Sequence, residues 1–216
     1  MSISPERFEK ILAVLTNQLV WGSLHFRTAR QIREALREKS EDLAHCRWPL
    51  DITQIAHYDN AVAVLMRLLS RDSQSVTIYK LLRVCRSNPG LFARIEQRDL
   101  AGMIDQDELL LEGMADILGR LKEERDSRFA HLDSSLLEEA HTGLGGQRVL
   151  NFDWKEADEL YEKIQRLIIK YYELYHDVDL DIKLGENSFG WMLSVLETEG
   201  RRHREERERF HAEHVT

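Results

Sequence analysis

Proline is scarce in this chain, with 3 in 216 residues, where average usage of about 5% would place about 11. Glycine is also low, at 11 against about 15 for average usage. Few turns are being made, and long helices are the economical explanation. There are two cysteines, Cys46 and Cys85, with no CxxC pair and no Cys/His zinc spacing, so reduced, semi-buried thiols are expected rather than a disulfide. No apolar run approaches the roughly 18 residues of a membrane span; the longest, Ala61 to Met66, stops at Arg67. The opening Met-Ser-Ile-Ser-Pro-Glu has no basic stretch leading into an apolar one, which makes a cytoplasmic protein the expectation. There is no HExxH and no His-rich cluster, so neither a metal centre nor a cofactor is expected. Basic charge is short as well: 30 Lys and Arg against 38 Asp and Glu leave a net −8. Such a chain is a poor general nucleic-acid binder, because phosphate contacts need clustered Lys and Arg.

Hydrophobic residues make up 43% of the chain, enough for a core. They recur at helical spacing. Ser4-Pro5-Glu6 starts a helix by capping, proline tolerance and dipole charge. From there Phe8, Ile11, Leu12, Leu15, Leu19, Leu24, Ala29, Ile32 and Leu36 keep a period near 3.6. One helix, or two broken near Gly22, is expected over about residues 5–42. Trp48-Pro49 is expected to close that region, with Asp51 capping a second helix that turns Ile55, Ala56, Ala61, Val62, Leu65 and Leu69 inward. A shorter helix follows over Val76 to Cys85, ended by Asn88-Pro89-Gly90. Asp105 is expected to open the next, with Leu109, Leu110, Met114, Ile117, Leu118 and Leu121 on its apolar face. Asp153 caps a long helix carrying Ala157, Leu160, Tyr161, Ile164, Leu167, Ile168, Tyr171 and Tyr175. Asn187 starts the last, which leads into the charged tail. No period-2 strand and no repeat is present, so the fold class is all-α, with five or six helices.

Most polar features have structural explanations. The loop Gly143-Leu-Gly-Gly146 lacks GxxxxGK[ST] spacing and follows no strand, so it reads as a connector rather than a phosphate cradle. The five Arg between Arg201 and Arg209 stand among Glu205, Glu206, Glu208 and Glu213, which at helical spacing form ion pairs. Tyr161, Tyr171, Tyr172 and Tyr175 sit mostly on the apolar stripe of their helix and read as core. Trp21, His25 and Trp48 are scattered and carry no assigned chemistry.

The segment Glu124-Arg-Asp-Ser-Arg-Phe-Ala-His-Leu-Asp133 differs from all of these. On a continuous helix Arg125, Arg128 and His131 step along one edge at i, i+3 and i+6. Histidine moves protons near neutral pH, and the arginine fork grips two phosphate oxygens. Together they suffice to cleave RNA through its own 2′-hydroxyl, the His transferring the proton and the Arg countering charge that grows at phosphorus. Four Arg–His pairs in the chain have four to six intervening residues. Only Arg125 and His131 stand at the end of a core-patterned helix, with Phe129, Ala130 and Leu132 to anchor the turn; the other three pairs lie in the charged tail.

This segment resembles the R-x(4–6)-H signature of the HEPN superfamily, small all-helical domains many of which are metal-independent ribonucleases. The string Arg-Asp-x-Arg-Phe-Ala-His-Leu-Asp is most similar to the abortive-infection (AbiU-type) branch. His57-Tyr58-Asp59, with Arg67-Leu68-Leu69 and Ser70-Arg71-Asp72, fits the same branch. The resemblance extends over about residues 5–180. It implies a HEPN-like up-and-down helical bundle over residues 1–198, followed by a charged C-terminal helix or tail over 199–216. It also implies a ribonuclease effector of phage defence or toxin–antitoxin type. His131 would be the general acid/base and Arg125 the residue that neutralises the scissile phosphate. Asp126 would orient Arg125 or the nucleophile, and Arg128 would assist the contact with the RNA backbone. Products would carry a 2′,3′-cyclic phosphate. In the superfamily the motif lies at a two-fold interface, so a homodimer with a composite site is implied, together with RNA as substrate, an antitoxin or defence partner, and no membrane.

Two other readings stay open. One is a non-catalytic HEPN-like interaction module that binds a nucleotide, RNA or a partner protein; the other is a helical scaffold whose motif is a capped helix end. The charge is also unevenly spread. Residues 1–100 carry 15 basic and 11 acidic side chains, and residues 101–200 carry 10 and 23. A small phosphate-reading cleft is therefore compatible with the acidic whole.

Overall fold

The computed structural model describes residues 3–72, 74–92, 95–121, 123, 154–178 and 189–214. The fold is all-α. Six helices of at least 10 residues are described, and no strand occurs among the described residues. The chain forms two compact units, one of Met1–Trp21 with Val62–Ile182 and the other of Gly22–Ala61 with Lys183–Thr216.

Helix α1 (Pro5–Glu38) is unbroken. Gly22, the expected weak point, is buried within it, and one helical glycine costs only about 1 kcal/mol relative to alanine. Helix α2 (Arg47–Leu68) begins earlier than expected. Trp48-Pro49 does not end the preceding region but lies in the first turn of α2, where a missing proline N–H loses no intrahelical bond. Asp51 is thus inside the helix, 3.7 Å from Arg47. Ala61, Val62, Leu65 and Leu69 are buried as expected, whereas Ile55 is 45% exposed and Ala56 is also on the surface.

In the first unit, α1 supplies Phe8, Ile11, Leu12, Leu15 and Leu19 to the core. Helix α3 (Ile78–Ser87) is capped by Thr77, whose hydroxyl accepts from the Lys80 amide at 3.2 Å. It buries Ile78, Leu81, Leu82 and Cys85 and gives way to a 3₁₀ turn over Pro89–Leu91. Helix α4 (Gln97–Glu112) starts a full two turns before Asp105. Its buried residues are Leu100, Ile104, Asp107 and Leu111, and Leu109 is left 66% exposed. Leu109 and Leu111 stand about 200° apart around a helix, so only one of them can face inward. Residues 115–121 are helical again, with Met114 and Leu121 buried. Helix α5 (Trp154–His176) buries Ala157, Leu160, Tyr161, Ile164, Leu167, Ile168 and Tyr171, the expected stripe up to its last member. Tyr175 is only half-buried, its ring edge-on to Phe8 at 4.8 Å.

In the second unit, the C-terminal half of α1, a 3₁₀ turn over Ala44–Cys46, the first turns of α2 and helix α6 (Phe189–His214) come together. Ile32, Ala35, Leu36, Leu43, Leu50 and Leu193 form its core, with Cys46 and Leu196 packed against it. The Lys39 ammonium reaches both oxygens of Glu197 at 2.7 Å. Glu197 is 8% exposed, so this is a carboxylate whose burial depends on its partner.

Candidate functional site

Arg125, Asp126, Arg128 and His131, the residues expected to carry the chemistry, lie outside the described residues. The helical stretch that leads towards them is described. Arg120 reaches Glu156 of α5 at 2.9 Å, and Leu121 is 1% exposed. The approach to the segment is thus anchored by an ion pair and a core side chain in the first unit.

Among the described residues two clusters of titratable groups stand out, one in each unit. In the second unit, Nδ1 of His25 on α1 lies 2.8 Å from Nδ1 of His57 on α2, with ring centroids 4.9 Å apart. At that distance one ring donates its N–H and the other accepts with its lone pair. Both imidazoles are half-buried. Burial pushes the His25 pKa down. Burial does the same to His57, and the neighbouring His25 adds to it, because two imidazolium charges this close repel. The pair therefore holds one ring neutral and receives a proton only at lower pH than an isolated histidine. His25 was assigned no chemistry from the sequence, and no local spacing marks it: the two residues are 32 positions apart and meet only because α1 and α2 pack.

The first unit contains a polar knot inside its core. Asp107 of α4 accepts from the Lys170 ammonium through both oxygens at 2.5 Å and from the Tyr171 hydroxyl at 2.7 Å. Asp107 is 6% exposed, so its charge is stable there only with these donors. Burial, then the hydrogen bond to Asp107, pushes the Tyr171 hydroxyl well above its usual range. The Cys85 thiol is pushed up to about 12, mainly by burial. Neither group ionises near neutrality, so the knot joins α4 to α5 rather than moving protons. Among the described residues no three His, Cys, Asp or Glu side chains are grouped to hold a metal, and no helix is long and apolar enough to cross a membrane.

Comparison with known proteins gives one family. The model of HEPN_AbiU2, described as AbiU2, matches residues 5–189. The match includes α1 to α5, the His25–His57 pair, the Asp107 knot and the whole of the Arg125–His131 segment. No curated protein and no solved structure matches the chain.

Proposed function

The chain belongs to the HEPN_AbiU2 family and is a HEPN-like abortive-infection protein; on that footing we propose that it is a metal-independent endoribonuclease effector. The observation that carries this reading is the Arg125-Asp126-x-Arg128-x-x-His131 segment, which lies inside the matched region. His131 withdraws the proton of the RNA 2′-hydroxyl and a proton is returned to the leaving 5′-oxygen. Arg125 neutralises the charge that grows on the phosphorus oxygens, held by Asp126, while Arg128 grips the neighbouring phosphate. The attack is intramolecular, so the product is a 2′,3′-cyclic phosphate. Two copies complete one site, making an isologous homodimer part of the proposal, and an antitoxin or defence partner restrains it.

The test is cleavage of total RNA with EDTA present by wild type, His131→Ala and Arg125→Ala. Loss of cleavage in both variants, with wild-type cleavage surviving EDTA, supports the mechanism. Undiminished cleavage by either variant, or cleavage abolished by EDTA alone, overturns it. A second reading is favoured by the 23 acidic against 10 basic side chains over residues 101–200: a non-catalytic module binding a nucleotide, RNA or a partner protein. Harmless expression of the wild type without its partner points to that reading, whereas toxicity removed by His131→Ala points to the ribonuclease.

A further inference from the structure

The proposed cleavage mechanism makes no use of the His25–His57 pair. Each ring stands in the interior of a long helix, His25 in α1 and His57 in α2, so their separation is held more firmly than a loop could hold it. Both residues belong to the second unit. Their Nδ1 atoms are 2.8 Å apart, with ring centroids 4.9 Å apart and planes at 46°. The positions one helical turn to either side carry no carboxylate: Thr28 and Ala29 follow His25, while Gln54 precedes and Asn60 follows His57. The pair is an uncharged donor set of two nitrogens.

Two imidazole nitrogens this close also bracket a metal ion. With metal–nitrogen bonds of about 2.05 Å, the 2.8 Å separation subtends about 86° at the metal. That is close to the cis angle of tetragonal Cu2+ and Ni2+, ions that imidazole suits. The tetrahedral angle of Zn2+ would need the nitrogens about 3.3 Å apart. Mg2+ and Ca2+ take oxygen ligands and find no carboxylate one turn away. The hydrogen bond between the rings puts Nδ1–H on one and a lone pair on the other. Moving that proton to the same ring's Nε2 gives both rings an Nδ1 lone pair with no change of net charge. The outer torsion of histidine is broad, so both lone pairs can turn onto one ion. The rings are also neutral near pH 7, the form that ligates.

We propose that His25 and His57 form a two-nitrogen site for a divalent transition-metal ion of tetragonal preference, Ni2+ or Cu2+, bridging α1 and α2. Among the described residues no three His, Cys, Asp or Glu form a metal cluster, so water fills the remaining positions and the ion is exchangeable. Occupancy fastens α1 to α2 within the second unit. The site does not depend on cleavage at Arg125 and His131.

The experiment is calorimetric titration of the full chain with NiCl2 at pH 7.5 without chelator. Ni2+ is chosen over Cu2+ because it does not oxidise thiols such as that of Cys46. Binding is expected to raise the thermal midpoint, because the unfolded chain offers no preformed site. His25→Gln and His57→Gln each remove one of two linked ligands and are expected to weaken binding about a hundredfold. His211→Gln, on α6, leaves it unchanged. ZnCl2 is expected to bind more weakly than NiCl2. In the wild type, where no substitution can have disturbed the fold, paramagnetic Ni2+ is expected to broaden the NMR signals of residues 25 and 57 first. Absence of Ni2+ binding, affinity kept in either of the two variants, broadening centred on the α6 histidines, or Zn2+ bound as tightly as Ni2+ overturns the proposal.

Discussion

Nδ1 of His25 and Nδ1 of His57 lie 2.8 Å apart, a separation that only a neutral imidazole on at least one side can sustain. The pKa of each ring is held below the usual 6.5. Between that depressed value and 6.5 the unfolded chain binds more protons than the folded one, so acid favours unfolding. The pair's contribution is fully present above pH 6.5 and is lost as pH falls through the depressed value. Urea midpoints measured from pH 8 to pH 5 are expected to decline on the acid side. His57→Asn, which removes the coupled titration, is expected to decline less steeply. A variant curve parallel to the wild type would place the acid sensitivity elsewhere.

Asp107 anchors α4 to α5 through Lys170 and Tyr171. Asp107→Asn keeps the shape but removes the charge that the Lys170 ammonium answers. It also turns an acceptor oxygen into a donor nitrogen beside one of its two donors. The expected loss is about 1–3 kcal/mol, read as a lower urea midpoint at an unchanged m-value.

The two thiols differ in reach. Cys85 is fully buried and its pKa is pushed up to about 12; Cys46 is half-buried, with a pKa also raised by burial. The thiolate is the reactive form. A thiol reagent at pH 8 is expected to label Cys46 slowly and Cys85 only after denaturation, as peptide mapping would show. Labelling of Cys85 in the native protein would contradict its burial.

Gly200 is required by contact rather than by conformation. Gly200→Ala improves helix propensity by about 1 kcal/mol, yet its Cβ would overlap the Asp42 carbonyl. Backbone cannot yield as a flexible side chain does. A net loss of about 1–3 kcal/mol is expected, with hydrogen exchange faster in residues 39–46 and 193–204. A stabilised variant would show that the crossing relaxes freely.

Much of the helical layout was legible because it is local. Pro5 marks a helix start by its own chemistry, and the α5 stripe from Ala157 to Tyr171 follows from a 3.6-residue period alone. The misread positions were those where a local signal competes with packing. Pro49 looks like a stop but is tolerated in a first turn. Leu109 and Leu110 look like core, yet Leu100, Ile104 and Leu111 hold the inward face of α4, with charged Asp107 among them. The family was legible for the same local reason, since Arg125, Asp126, Arg128 and His131 fall within seven residues.

Composition and period thus determined an all-α chain, the register of most helices and a short segment with the groups for phosphate chemistry, because those depend on residues a few positions apart. Tertiary structure alone decided which distant side chains meet. His25 finds His57 across 32 positions, Asp107 finds Tyr171 across 64, and Lys39 finds Glu197 across 158. It also decided that Arg201 and Arg204 of α6 turn to Asp42 while Arg202 pairs along its own helix. Burial and Coulomb interaction act between neighbours in space, and no spacing along the chain records them.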